Sequence, residues 1–269
     1  ETGNGSDVLY GGAGNDVLTG GLGNDQLIGG GGRDTAIFGS GNNKIDLANT
    51  DRQNTQEGRD IFSSIENVKG GDGNDLIKGD GGKNYLYGET GKDRLYGRDG
   101  NDLLYGETGN DKIFGGVGND NLFGGDGNDT LYGNSANDKV FGGDGDDVIS
   151  RGGATNYIDA GAGDDLVKLS ANGGIGVTFD FLDGGTGTDT LHFTYVGHGF
   201  GGSGSGSTSV GDAVVNFENI KFSTTTSGWY TFNLGSQAGS AGESITVEVV
   251  QTSGMTAYGI DFTSATDAN

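Results

Sequence analysis

The stretch GGVGNDNLFGGDGNDTLY, Gly115 to Tyr132, states one nine-residue phrase twice. Each copy has two glycines, a spacer, a third glycine, Asn-Asp, a spacer, one aliphatic residue at the eighth place and one aromatic at the ninth. Outward from it the phrase runs unbroken through eleven units from Gly70 to Lys168, through four more from Thr2 to Ile37, and once again in GGTGTDTLH, Gly184 to His192. The general form is G-G-x-G-x-D-x-U-x. The eighth place, U, stays aliphatic: Leu9, Leu18 and Leu27 early in the chain, then Ile77, Leu86, Leu95, Leu104, Ile113, Leu122, Leu131, Val140, Ile149, Ile158 and Val167. One inward residue in nine is too sparse for an amphipathic helix and feeds instead a three-residue strand that alternates out, in, out. The other six residues form a turn, where glycine allows positive φ and close backbone approach and Asn or Asp suits the bend.

Composition says what such a chain lacks. Of 269 residues 60 are glycine and only 31% are hydrophobic, so there is little to bury. The formal charge of -23, from 38 acidic against 15 basic residues, makes the bare chain repel itself and leaves it disordered by default. A nucleic acid or an anionic membrane surface would be repelled as well, so the fitting counterpart is a hard cation such as calcium, which takes oxygen ligands. There is no cysteine and no proline, which rules out a disulfide framework and a thiolate metal site. No apolar run approaches the ~20 residues of a membrane span. The opening residues, ETGNGSDVLY, hold neither an initiator Met nor a secretory-signal pattern, and Thr2 to Tyr10 is already in register with the repeat. The expectation is a chain that begins inside a longer protein.

The nonapeptide resembles the RTX (repeats-in-toxin) family of haemolysin-type calcium-binding proteins, across about half of the chain. The resemblance implies an all-β fold, a right-handed parallel β-roll in which two nonapeptides make one 18-residue coil and calcium sits in the turns between successive coils. Two short sheets then face each other across a thin aliphatic core. In that roll residues 18 apart stack, so Asp75, Asp93, Asp111, Asp129, Asp147 and Asp165 form one unbroken column. The opposite column reads Asn84, Asp102, Asp120, Asp138 and Asn156, charged only in its middle. Asp7 with Asp25, Asp16 with Asp34, and Asp189 of the last unit complete the set of expected metal ligands. The columns predict about nine ions: about five on the first side, two on the second and two in the first block, with the Asn84 and Asn156 turns weak or empty. Nine divalent ions would bring about +18 against the formal -23. Ala136 and Ala154 replace the fourth-place glycine and are expected to hinder their turns.

Four segments follow from the register. Residues 1–37 are a first repeat block, 38–69 an irregular insertion that loses the period and re-enters the roll, 70–168 the main roll, and 169–269 a C-terminal β cap with one further repeat. The phrases Ile65-Glu66-Asn67-Val68 and Phe217-Glu218-Asn219-Ile220 echo each other as re-entry segments. Beyond Lys168 the runs VTFDFLDGG, VVNFENIKF, WYTFNL, ITVEVV and YGIDF have strand character, separated in part by a Gly/Ser-rich loop from Gly197 to Gly211. The acidic, Ser/Thr-rich tail is compatible with the uncleaved C-terminal signal of bacterial type I secretion that the resemblance implies.

Position nine is aromatic in seven successive units, Tyr87 to Phe141. The outward rings are read either as a docking surface for sugar rings or as stacks that stabilise neighbouring strands, and the second reading is preferred. Lys83, Lys92, Arg94, Arg98, Lys112 and Lys139 are read as solubilising charges ahead of a site for acidic polysaccharide. Two histidines, His192 and His198, with no cysteine and no H-E-x-x-H or G-x-S-x-G, give no catalytic constellation, and repeated acid pairs point to ligands because an active site is needed once. The expected protein is therefore not an enzyme. It is a secreted, extracellular or cell-surface β-roll that folds on binding calcium, with a structural role as a surface-layer, filament or adhesin-like element. Its partners are calcium, further copies of itself, a cell surface or extracellular polysaccharide, and no nucleic acid. The alternative is the non-catalytic C-terminal part of a secreted enzyme such as a metalloprotease, lipase or alginate epimerase.

Overall fold

A computed structural model describes residues 3–151, 157–172, 181–196, 206–209, 214–224, 229–233, 246–251 and 259–262. Among them every regular element is a strand, and no helix is long and apolar enough to cross a membrane. The repeat builds the architecture directly. The strand Tyr85–Thr90 leads through a turn to Arg94–Asp99 in the facing sheet, and a second turn returns the chain to Leu103–Thr108 beside the first strand, with Leu86 opposite Leu104. Repeated along the chain, this winding makes two ten-stranded parallel sheets. Their inner faces meet over single files of aliphatic side chains, Leu86, Leu104 and Leu122 from one sheet and Leu95, Ile113 and Leu131 from the other, all fully buried.

The pairing between coils runs further than the three-residue strand of the sequence pattern. Five residues pair rather than three, because beyond Gly88 the ladder resumes with Glu89 opposite Glu107 and Thr90 opposite Thr108. The path itself bends after the inward first-place glycine, since Glu89, Arg98 and Glu107 at the second place take φ of 77°, 78° and 74°, so these places are turn backbone that pairs with the same places of the next coil. The turn bends again at the fourth place, Gly91 with φ of 140°, and runs through Lys92 to Asp93. Ala136 takes this turn with φ of 77°, so its Cβ is accommodated at the cost of local strain rather than by a different path. Ala154 lies outside the described residues.

The insertion keeps the period further than expected. Lys44–Asp46 is a strand in register with Leu76–Lys78, Ile45 lying opposite Ile77, so GSGNNKID behaves as a repeat with Asn43 in the aspartate place. The interruption is the antiparallel pair Gln53–Thr55 and Gly58–Ser63, and the latter strand also lies parallel to Gln26–Gly31. Asn67–Lys69 then joins Thr35–Ile37 to Tyr85–Thr90, making one sheet continuous across the insertion. Phe38, Phe62, Ile65 and Val68 are buried there, with the Phe38 and Phe62 rings edge to face at 5.6 Å. Past Lys168 the strands Leu166–Asn172, Thr190–Val196, Asn219–Thr224 and Thr246–Gln251 carry one sheet onward in parallel. Gly206–Ser209, Trp229–Asn233 and Gly259–Phe262 form a separate parallel sheet of three.

Candidate metal centre

Each coil places its sixth residue at the end of a turn, where the backbone N–H points along the roll axis toward the next coil. That N–H donates to the Oδ1 of the aspartate one coil on. In the long column the bonds run from Asp75 to Asp93, Asp93 to Asp111, Asp111 to Asp129 and Asp129 to Asp147 at 2.7 Å, then to Asp165 at 2.8 Å and Asp189 at 2.9 Å. The opposite column repeats the bond from Asp102 to Asp120 at 2.8 Å and from Asp120 to Asp138 at 3.0 Å. Asp7 bonds Asp25 at 2.9 Å and Asp16 bonds Asp34 at 2.8 Å. All fourteen aspartates expected from the sequence therefore take part in coil-to-coil bonds along the turns.

One oxygen of each carboxyl is thus engaged, and the other is not. The Oδ2 atoms of Asp25, Asp34, Asp75, Asp93, Asp102, Asp111, Asp120, Asp129, Asp147, Asp165 and Asp189 are buried with no hydrogen-bond partner among the described residues. A buried carboxylate oxygen without a donor is costly unless a cation meets it. Burial pushes the Asp129 carboxyl up to about 8, with the Asp147, Asp111 and Asp126 carboxylates adding to the push. Burial likewise raises Asp93, Asp102 and Asp189 to about 7, and Asp75, Asp111, Asp147 and Asp165 to about 6, while the ladder N–H works in the opposite direction.

The glycines shape the space around these oxygens. A Cβ on Gly115 would lie 2.5 Å from the Asp120 Oδ2 and 2.9 Å from the Gly133 carbonyl oxygen of the next coil, so the hollow beside each free oxygen is kept open by a missing side chain and lined by a main-chain carbonyl. Gly118 turns the chain with φ of 135°. Among the described residues no three acidic or histidine side chains converge on one point, so what the turns would offer an ion is carboxylates of neighbouring coils together with main-chain carbonyls. Oxygen-only donors, paired negative charge and a glycine-lined hollow fit calcium. When bound, calcium supplies the positive charge that keeps the stacked carboxyls ionised in a dry turn.

Against this geometry stands the family comparison. The pattern of the RTX calcium-binding nonapeptide repeat, four copies long, matches residues 1–36, 60–95, 87–122, 96–131, 114–149, 123–158, 132–167 and 178–193. The chain belongs to the RTX calcium-binding nonapeptide-repeat family. No curated protein matches it significantly. It is a calcium-binding RTX β-roll.

The RTX ladder also contains members that pattern matching on aspartate misses. Glu66 accepts the Asp34 N–H at 2.8 Å and Glu218 accepts the Asp189 N–H at 2.7 Å, so the two E-N-[VI] phrases hold the sixth place with a longer acid where the chain rejoins the stack. Asp60 takes the Asp25 N–H at 2.8 Å, but its second oxygen is closed by the Thr55 hydroxyl at 2.5 Å, so it is satisfied without an ion. The signal was present in Gly58-Arg59-Asp60-Ile61-Phe62, which reads G-x-D-x-U without the leading glycine pair.

Two RTX turns are closed by amides. Asn84 accepts the Asp80 N–H at 2.9 Å and donates to the Glu66 carbonyl at 2.9 Å, joining two coils by hydrogen bonds. Asn43 donates to the carbonyls of Gly41 at 3.0 Å and Gly70 at 3.1 Å and accepts the Gln56 N–H at 3.1 Å. A neutral amide brings its own donor and meets the carbonyls directly. Asn156 and His198 lie outside the described residues, and His192 is an outward residue in register with Lys168 and Lys221.

The outward aromatics form stacks. Tyr87, Tyr105, Phe123 and Phe141 follow one another at 4.7 to 4.9 Å and within 11° of parallel, and Tyr96, Phe114 and Tyr132 do the same on the other sheet at 4.7 Å. Ring faces inside a stack are covered by neighbouring rings and are not open to a sugar ring, which favours the strand-stabilising reading.

Proposed function

We propose that this RTX chain is a secreted structural protein whose folding is switched on by extracellular calcium and whose folded copies associate. The observation that carries the proposal is repetition: the same buried pair of carboxylate oxygens recurs coil after coil along two columns. Such an array is unstable while its oxygens face one another without a counter-ion, and the thin aliphatic core offers little compensation. Calcium-binding free energy therefore becomes folding free energy. Extracellular calcium modules work at Kd of ~10⁻⁴ to 10⁻³ M, so the chain stays unfolded and exportable in a calcium-poor cytosol and folds outside, consistent with type I secretion. Uniform periodic faces suit a surface-layer, filament or adhesin-like element.

Calcium titration followed by circular dichroism and light scattering tests both steps. The expected result is a disordered chelated chain that gains β signal and then forms larger particles as calcium rises. A compact, β-rich chelated chain would overturn ligand-coupled folding. A calcium-loaded chain that stays monomeric at every concentration would overturn the structural role in favour of a folding and secretion module attached to an enzyme.

A further inference from the structure

The 15 basic residues of this acidic chain are not spread evenly. Lys44, Arg94 and Lys112 occupy the outward seventh place of three strands in one sheet, with Leu76 between Lys44 and Arg94 in the register. Lys78 lies on the same face, its ammonium 5.9 Å from the Tyr96 ring centre. Lys44, Arg94 and Lys112 are exposed and have no acidic partner among the described residues, whereas Arg98 beside them is held by both oxygens of Asp46 at 2.7 Å. Leu76, Lys78, Arg94, Tyr96 and Arg98 line an open hollow of about 350 Å³ on this face. The row is thus an island of uncompensated positive charge.

The complementary row stands on the same molecule further along the roll. Asp126 and Asp144 are exposed and directly in register, and Asp146 and Asp164 are exposed on the same turn edge, the Asp164 N–H bonding the Asp146 side chain at 2.9 Å. The geometry points to a contact between copies of this chain, in which the basic row of one copy takes the Asp126, Asp144, Asp146 and Asp164 edge of another. Arg94 and Lys112 stand one strand step of ~4.8 Å apart, as do Asp126 and Asp144, so this pair of cations meets this pair of carboxylates in step. The two rows are different surfaces, which makes the contact heterologous and open-ended, so copies add in a line instead of closing as a pair. Calcium enters as a precondition: it folds both rows and removes most of the self-repulsion that keeps -23 chains apart. This inference rests on the assembly reading and names its interface.

Exposed charge pairs are individually weak and screened by salt, so the contact sets specificity and direction more than affinity. The test is sedimentation of the full chain in saturating calcium at low and high salt, for wild type, for Arg94→Glu with Lys112→Glu, and for that variant mixed with Asp126→Lys with Asp144→Lys. Circular dichroism in calcium first establishes that each variant folds. The expected result is salt-sensitive assembly of wild type, a concentration for half-assembly raised at least about tenfold in either variant alone, and assembly regained on mixing the two. Unchanged assembly of the basic-row variant overturns this interface while leaving the structural role standing. A wild type that never assembles overturns both. A soluble polygalacturonate bound by the basic row of a monomeric wild type would reassign the row to a polyanion.

Discussion

Replacing Asp129 by asparagine should move the calcium-free and the calcium-loaded protein in opposite directions. Asp129 is 1% exposed and its carboxyl is raised to about 8 from an ordinary 3.8, mainly by burial. Near pH 7 the calcium-free fold must hold this group about 3 pH units above its ordinary titration point. At ~1.4 kcal/mol per unit this is a penalty on the order of 4 kcal/mol, which Asp129→Asn removes. In calcium the same change deletes one carboxylate from two sites, because Asp129 is bonded to Asp111 on one side and Asp147 on the other. Two assays read the two halves. Equilibrium dialysis with dichroism-monitored calcium titration should show about two fewer ions and a folding midpoint raised several-fold. In chelator, the β signal that acid restores should persist to higher pH in the variant than in wild type. An unchanged ion count with an unchanged midpoint would show that the column does not bind the metal, and a chelated variant less structured than wild type would refute the desolvation reasoning.

Three further outcomes follow from the same ladder. Asn84→Asp should add about one calcium ion, and in chelator it should lower stability by roughly 1 to 3 kcal/mol, because the amide's donation to the Glu66 carbonyl is lost and a carboxylate oxygen faces that carbonyl instead, while the Asp80 N–H keeps its acceptor; isotherms and chelated melts check the two effects. The pH dependence has a definite sign. Folded values of about 6 to 8 lie above the unfolded value of 3.8, so the calcium-free fold binds more protons than the unfolded chain; its carboxyl contribution is complete below about pH 4 and is lost as pH rises through 6 to 8. Calcium affinity should run the other way, falling as pH drops through that window, which titrations at several pH values will show. Gly115→Ala should raise the calcium needed for folding and cost about 1 to 3 kcal/mol, since its Cβ meets Asp120 and the Gly133 carbonyl, whereas Val117→Ala, at an exposed third place, should change little.

Much of this was legible in the chain because the repeat is local chemistry stated many times. One aliphatic residue in nine, with glycines and an Asn-Asp turn, dictates a short strand and a tight bend whatever lies elsewhere, and the 18-residue coil that the RTX resemblance implies stacks residues two units apart. The aspartate columns follow from the same arithmetic. Asn43, Asp60, Glu66 and Glu218 were harder to see: Asn43 puts an amide in the aspartate place, Asp60 keeps only Gly58 of its glycines, and Glu66 and Glu218 carry a longer acid in units without the glycines.

What depended on folding is of another kind. That each carboxyl spends one oxygen on a neighbour's N–H and leaves the other dry is a relation between coils, and spacing in sequence carries no information about hydrogen-bond partners. That coils stay paired through the bend at the second and third places, beyond the three-residue strand, appears only when a neighbouring coil lies alongside. The way Gly58–Ser63 lies beside Gln26–Gly31 while Lys44–Asp46 joins Leu76–Lys78 is a choice among strand edges that local propensity leaves equal. Periodicity fixes how a residue faces its own coil; which residue of another coil it meets is settled by packing.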